Sequence, residues 1–386
     1  MIPYDVWAEI NLGAISDNIK GLRRLLSDQT RLMAVVKADA YGHGAVDVAA
    51  AAIDAGASVL GVARLGEAAE LRHAGIDAPV LIFGHTSPAA AQKLVEYDLI
   101  QSVCSYAAAE ALSDRAEAMG RRIRVHINID TGMGRLGFMA APSDFQGAGE
   151  IGDGDPVEEI KAICRLKGLV AEGIYTHFAT ADDADKTGAR QQFDRFSKML
   201  SRLADAGIEF RLRHAANSAA IIDMPETHLD MVRAGISLYG HYPSRRVACH
   251  RVGLTPAMTV KSRIVFLKKV GPGFKVSYGW TAVTEKATTI ATVAVGYADG
   301  FTRLLSAVGQ MTVGGQLVPV MGRICMDNTM VDVGRVAGVR VGDPATLFGN
   351  PDEGAIAVED LADALGTIHY EILTMVSGRA QRIYRR

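Results

Sequence analysis

Lys37 ends the apolar run Met33-Ala34-Val35-Val36 and stands directly before Ala38-Asp39-Ala40-Tyr41-Gly42-His43-Gly44. A short hydrophobic run of this kind reads as a buried strand, and the glycine pair as the loop that leaves it. The charge therefore falls at the carboxyl edge of a strand, where α/β proteins keep their chemistry. A lysine in an apolar setting has a lowered pKa and can attack a carbonyl, the reaction by which Schiff-base enzymes hold pyridoxal phosphate. A solvated lysine at a strand end would give the same local pattern. What else gathers at that edge decides between the two.

The elements that would position Lys37 alternate regularly. Between residues 31 and 240 the apolar runs are Leu32–Val36, Val59–Ala63, Val80–Phe83, Leu99–Cys104, Ile123–Ile129, Leu169–Tyr175, Phe210–Leu212 and Met231–Leu238. Alanine-rich helical stretches such as Ala45–Ala55, Gly66–Ala74, Ala89–Glu96, Tyr106–Met119 and Gln191–Ala206 lie between them. Such alternation implies a parallel sheet, and eight repeats predict an N-terminal (β/α)8 barrel over residues 1–242, led by a helix at Ile15–Leu26. An open doubly wound sheet is the competitor, but no GxGxxG turn follows the first strand. Residues 243–386 have a different pattern. Val260–Val270, Thr288–Val295, Met311–Val320, Asn328–Val333 and Ala345–Phe348 are β-rich, joined by turns such as Gly271-Pro272-Gly273 and Gly314-Gly315, with one short helix at Val358–Leu365. This predicts a mostly β C-terminal domain. Gly147–Pro156, rich in glycine and aspartate, reads as a surface loop without chemistry.

Composition narrows the partners. A chain of 386 residues with a net charge of -2 has no basic surplus for nucleic acid, and no charged block forms an interaction tail. No run approaches the roughly 18 apolar residues of a membrane span, and the N-terminal residues lack the pattern of a secretory leader. Cys104, Cys164, Cys249 and Cys325 have no paired spacing, which fits reduced thiols and a cytoplasmic location rather than a disulfide frame or a metal site.

Placed on the eight-strand map, the unusual polar residues share one rim. Lys37 follows strand one, Arg135 lies in the loop after strand five, and His177 ends strand six; Asn217-Ser218 follow strand seven, and Arg233-Ala234-Gly235-Ile236 belong to strand eight and its edge. Loops after strands seven and eight of barrels commonly bind phosphate. Ser218, Gly235 and Ile236 suit that task with one hydroxyl and two main-chain amides. Taken singly, Ser218 could instead cap the helix begun by Ala219-Ala220-Ile221, and His177 could be a hydrogen-bonded core histidine.

The segments Ala34-Val35-Val36-Lys37-Ala38-Asp39-Ala40-Tyr41-Gly42-His43-Gly44, Asp130-Thr131-Gly132-Met133-Gly134-Arg135-Leu136-Gly137 and His214-Ala215-Ala216-Asn217-Ser218 closely resemble the alanine racemase family. So do Gly173-Ile174-Tyr175-Thr176-His177-Phe178-Ala179, Val276-Ser277-Tyr278-Gly279, Gly296-Tyr297-Ala298-Asp299-Gly300 and Arg323-Ile324-Cys325-Met326-Asp327, all in order along the chain. The resemblance implies a pyridoxal-phosphate-dependent racemase that interconverts L- and D-alanine. It implies the cofactor bound to Lys37, with its phosphate held by Tyr41, Ser218, Gly235, Ile236 and Tyr370. His177 and Asn217 would line the cofactor site, and Arg233 would face the pyridine nitrogen. Arg135 and the main-chain N–H of Met326 would fix the substrate carboxylate. Lys37 and Tyr278 would be the two bases, with Tyr278 supplied across a head-to-tail homodimer.

One position departs from the family pattern. Many members have a carbamylated lysine two residues before Asp-Thr-Gly, paired with the carboxylate-binding arginine, and this chain has Asn128 there. A buried unpaired cation is costly, so a small anion, chloride above all, is expected beside Asn128 and Arg135, with an ordered water and the substrate's own carboxylate as the alternative. Rival classes are a pyridoxal-phosphate decarboxylase of basic amino acids, a cofactor carrier on the same barrel, and a metal hydrolase using His177 and His214. The first lacks the Ser-Tyr-Gly context, the second ends after the barrel, and the third lacks paired-ligand spacing.

Overall fold

The computed structural model describes residues 4–140 and 155–386. The chain forms two compact units that are not contiguous in sequence. One gathers Ser16–Ala38 and Val48–Leu254; the other gathers Met1–Ile15, Asp39–Asp47 and Thr255–Arg386.

The first unit is built on eight parallel strands: β1 (Arg31–Val35), β2 (Val59–Val62), β3 (Val80–Ile82), β4 (Ile100–Val103), β5 (Ile123–Asp130), β6 (Leu169–Tyr175), β7 (Leu212–His214) and β8 (Met231–Ala234). Their order is β8-β1-β2-β3-β4-β5-β6-β7. Two main-chain bonds cross the remaining seam, Asp230 N to Arg213 O at 3.1 Å and Arg233 N to Ala216 O at 3.0 Å, so the barrel is nearly closed. The strands read as uninterrupted apolar runs because they are covered on both faces; Leu32, Met33, Ala34, Leu60, Leu81 and Ile82 are all buried.

Helices form the cover. In Thr187–Asp205 the buried residues Ala189, Gln192, Phe196, Met199 and Leu203 recur at spacings of three and four, one stripe of an α-helix. Burying each of Phe196, Met199 and Leu203 contributes about 1.5–3 kcal/mol before entropy is counted. Asp155 caps the helix Pro156–Arg165 by accepting from Val157 N at 3.1 Å, with proline in the first turn. Most of the Gly147–Pro156 stretch lies outside the described residues.

Several elements depart from the sequence reading. The leading helix runs Leu12–Arg23, because Asn11 Oδ1 accepts from Ala14 N at 2.9 Å and starts it earlier than the apolar periodicity indicates. Strand seven is Leu212–His214 rather than Phe210–Leu212, and strand eight stops at Ala234, where Gly235 leads into the 3-10 turn Ile236–Tyr239.

The second unit is a mostly antiparallel sheet. Met258–Val270 is its longest strand and pairs with Val6–Asn11, Thr288–Val293 and Pro344–Phe348. Gln381–Arg385 runs parallel to Val6–Asn11. The predicted strand Met311–Val320 is a hairpin, Gln310–Val313 and Gln316–Pro319, turned at Gly314-Gly315. Alongside the predicted helix Val358–Leu365 stands a second one, His369–Met375.

Candidate active site

The β1–β2 ladder ends with Val36 N bonded to Gly61 O at 2.8 Å, and the next side chain is Lys37. Lys37 is half-buried, and its ammonium is disfavoured first by burial and then by the charge of Arg135, with Glu67 opposing both. A lysine so placed holds a neutral amine more readily than one in water.

Beyond Lys37 the backbone takes an uncommon form. Ala38, Asp39, Ala40 and Tyr41 have φ of 53°, 53°, 52° and 52°, a left-handed turn at about 1–2 kcal/mol per residue. Such strain persists only where the surroundings over-determine it. Within the second unit, Asp39 Oδ1 accepts from Ala45 N at 2.8 Å. Arg382 donates to Gly42 O through Nε at 3.0 Å and Nη2 at 2.9 Å, while also reaching the carbonyls of Val376, Ser377 and Ala380. A Cβ at Gly42 would collide with Leu373 O, and one at Gly44 with the Tyr384 hydroxyl. The turn and the segment after helix His369–Met375 are thereby clamped together. The Tyr41 and Tyr370 rings lie 6.1 Å apart, and burial pushes the Tyr41 hydroxyl up to about 12, so it is a phenol donor at neutral pH.

In the barrel unit, the loop carrying Arg135 wraps around a carboxylate. Asp130 Oδ1 accepts from Gly132 N and Met133 N at 2.9 Å and from Gly134 N at 3.1 Å. Asn128 donates its amide N–H to Leu136 O at 3.0 Å, with Cys104 Sγ at 3.8 Å from the same nitrogen. Asn128 thus holds the far side of the loop, and Arg135 itself is exposed.

Arg233 is buried at the end of β8 with neutral partners. Nη1 donates to His214 Nδ1 at 2.9 Å; Nη2 donates to Thr176 O at 2.8 Å, Ala215 O at 2.9 Å and His177 Nδ1 at 3.2 Å. Its Nε makes no hydrogen bond among the described residues. Burial brings the guanidinium down to about 10, still a cation at neutral pH. Because His177 Nδ1 accepts, the network assigns its proton to Nε2. Burial and the charges of Arg233, Arg135 and Lys37 hold His177 well below the usual histidine range.

Sequence reasoning missed the support behind Arg233. His214 passes the network on, its Nε2 lying 2.9 Å from His126 Nδ1, and His126 Nε2 faces Glu172 Oε1 at 3.6 Å, too long for a hydrogen bond. The Tyr175 ring stacks on His214 at 4.8 Å, carries Arg233 over its face at 5.4 Å, and shares a 2.7 Å hydroxyl contact with Ser102. His126 fits only because β6 has glycine beside it: a Cβ at Gly173 would lie 2.6 Å from the imidazole. With both ring nitrogens engaged, His214 is unavailable to a metal. The alternation of β5 and β6 was readable; which side chains meet inside the barrel was not.

After β7, Asn217 rather than Ser218 caps the helix Ser218–Asp223, its Oδ1 accepting from Ala220 N at 3.1 Å. Ser218 Oγ accepts from Gly235 N at 2.9 Å and Ser237 N at 3.3 Å, which leaves its own proton to donate. Gly235 N is therefore committed within the protein. Ile236 is buried and its N–H has no partner among the described residues.

In the second unit, Tyr278 is 69% exposed on the 3-10 turn Tyr278–Trp280, not on a strand. Ser277 at φ 64° enters the turn and its hydroxyl is anchored on Arg323 O. Met326 is likewise exposed, on a loop tied by Ala298 N to its carbonyl at 3.1 Å.

A parallel barrel with a lysine of weakened charge at its first strand exit and a charge-neutral cradle around a buried arginine defines a barrel enzyme working at the carboxyl rim. Residues 10–243 match the alanine racemase N-terminal domain and residues 257–384 the alanine racemase C-terminal domain. An alanine racemase of Desulfosudis oleivorans is 51% identical over 384 residues, covering 100% of this chain and 97% of the relative. A solved alanine racemase of Clostridium difficile superposes with a TM-score of 0.94 at 40% identity, covering 100% of this chain and 97% of that one. The same enzyme described in complex with cycloserine matches at a TM-score of 0.91 and 40% identity, over 100% and 96% of the two chains. The chain belongs to the alanine racemase family. Among the described residues, no helix is long and apolar enough to cross a membrane.

Proposed function

We propose that this enzyme racemises alanine with pyridoxal phosphate held at Lys37, moving one proton on each face of the substrate's α-carbon. Lys37 serves one face and Tyr278 the other. The observation that carries the reading is Lys37 itself, half-buried at the β1 exit with its ammonium disfavoured. When bound, pyridoxal phosphate supplies the electron withdrawal that makes the α-proton removable.

The residues present fit that group. The Ser218 hydroxyl proton and the unpaired Ile236 N–H suit a phosphate, and Gly235 contributes by orienting Ser218; for Tyr41 and Tyr370 the phosphate role rests on the family resemblance alone. Asn217, after β7, and His177, after β6, stand at the same carboxyl rim of the barrel. Arg233 keeps its Nε–H for a pyridine nitrogen, and a cation at about 10 donates there without giving up its proton. Neutral acceptors behind Arg233 keep it from becoming an acid, which limits the cofactor's electron withdrawal and restrains side reactions.

Arg135 binds the substrate carboxylate by charge-assisted hydrogen bonds, together with Met326 N–H. Lys37, as the amine, takes the α-proton on the D-alanine face. Tyr278 takes it on the L-alanine face. His177 Nε2–H orients the tyrosine oxygen. The exposure of Tyr278 and Met326 supports a head-to-tail homodimer in which Tyr278 serves the partner subunit's Lys37. The exposure of Arg135 removes the cost of a buried cation that underlies the expected chloride; an anion beside Asn128 and Arg135 is supported only by the lack of a carboxylate partner for Arg135 among the described residues.

The test is chemical. Borohydride treatment of the yellow full-length protein should fix the cofactor to a single peptide containing Lys37, and Lys37→Ala should lose both the visible absorbance and racemisation. A reduced adduct on another lysine, or an unchanged spectrum in Lys37→Ala, would refute it.

A further inference from the structure

Glu67 sits in the first turn of the helix Leu65–His73, and both its oxygens are committed. Oε2 accepts from Ala63 N at 2.6 Å and Arg64 N at 3.0 Å, and Oε1 accepts from Ala38 N at 2.7 Å. The bond to Arg64 N is half of a capping box and needs no further explanation. The bond to Ala38 N does. β1 and β2 are paired in register through Val35 and Gly61, with Val36 N on Gly61 O as the last rung. Beyond it Ala63 O is already taken by Gly84 N, so Ala38 N and Ala63 N would face the gap between the strands as two donors without an acceptor. The carboxylate fills that gap, at the residue directly after Lys37 and where the left-handed turn begins.

Among the described residues, the charges that bear on the Lys37 amine are Arg135, from the loop after β5, and Glu67, from the helix after β2, and the lysine's charge in turn bears on His177, after β6. Arg135 is cationic and His177 is held neutral, so Glu67 is the only one of the three that favours the lysine's charge. We propose that Glu67 is the positioning residue of Lys37, fixing the main chain on its carboxyl side and supplying the negative charge that opposes Arg135. The inference deepens the reading of Lys37 as a proton carrier: a lysine that must both release and accept a proton cannot be left to burial and Arg135 alone.

The experiment follows the amine directly. Full-length protein, freed of any cofactor with hydroxylamine, is acylated with trace acetic anhydride across pH, and the Lys37 peptide is quantified by mass spectrometry. Glu67→Gln should lower the Lys37 midpoint by about 1 pH unit, a roughly tenfold change, because the opposing charge is gone. Glu67→Asp keeps the charge and should stay near the wild-type midpoint. In the holoenzyme, the pH midpoint of the visible absorbance should move in the same direction. A structural cap alone would lower thermal stability and leave both midpoints in place, and that result would overturn the proposal. Should Glu67→Gln not fold, amide exchange in the wild-type chain decides: the Ala38 N–H must be protected, and exchange at the rate of a free loop would sink the idea. Because acylation does not involve the cofactor, the Glu67 result stands apart from any failure of Lys37 to carry one.

Discussion

Moving the protein from pH 7 to pH 5 should cost the fold at least about 2–4 kcal/mol, the share of two histidines in the barrel interior, with the lowered His177 and His228 adding in the same direction. His214 and His126 are fully buried. Burial holds His214 well below the ordinary histidine value, aided by Arg233 and by His126; burial also lowers His126, against the pull of Glu172. The geometry explains the direction. His214 Nδ1 accepts from a guanidinium, so a proton there would set cation against cation at 2.9 Å. Both groups therefore bind fewer protons folded than unfolded, stability rises with pH through the unfolded value near 6.5, and it is lost as pH falls below that value. A histidine kept neutral to pH 5 loses about 2 kcal/mol over this interval, and two such groups about 4. Carboxylates contribute little there, since most titrate lower. Urea unfolding at half-unit steps of pH, with the slope against denaturant monitored, reads the loss directly. A midpoint unchanged between pH 7 and pH 5 would refute the neutral relay behind Arg233.

Gly173→Ala places a methyl 2.6 Å from the His126 ring in a site with no room to yield, and should cost about 1–3 kcal/mol of stability, read by the same unfolding curves. Its second effect should be weaker cofactor binding, measured by titrating the visible absorbance, because the support of Arg233 shifts with His126. Racemisation should fall on exhaustive dialysis into chloride-free buffer, return with added chloride and ignore bicarbonate; a rate indifferent to chloride removes the anion from the Asn128–Arg135 pair.

Lys37, Arg135, His177, Ser218 and Arg233 could be placed at one rim from sequence because short apolar runs locate strand ends, and strand ends locate loops. Tyr175, His126 and Glu67 could not. Their roles depend on register between neighbouring strands, and no local pattern encodes that Gly173 opens space for an imidazole or that a helix carboxylate reaches across to Ala38 N. Ser218 resembled a helix cap because a hydroxyl before an alanine run is one; Asn217, one residue earlier, does the capping and leaves the hydroxyl for other work. The strands Val6–Asn11 and Gln381–Arg385 were also missed, since each pairs with a segment distant in sequence and the second is mostly polar.

Two separate proton carriers are the core of the account, and solvent deuterium exchange at the α-carbon in a Tyr278→Phe variant tests them most directly. The variant should keep its bound cofactor and the exchange of D-alanine, which falls to Lys37 in the proposed mechanism. Exchange of L-alanine should fall by about 100- to 10,000-fold, with racemisation falling alongside it. Equal loss for the two enantiomers, or full exchange of both, would contradict a two-base site.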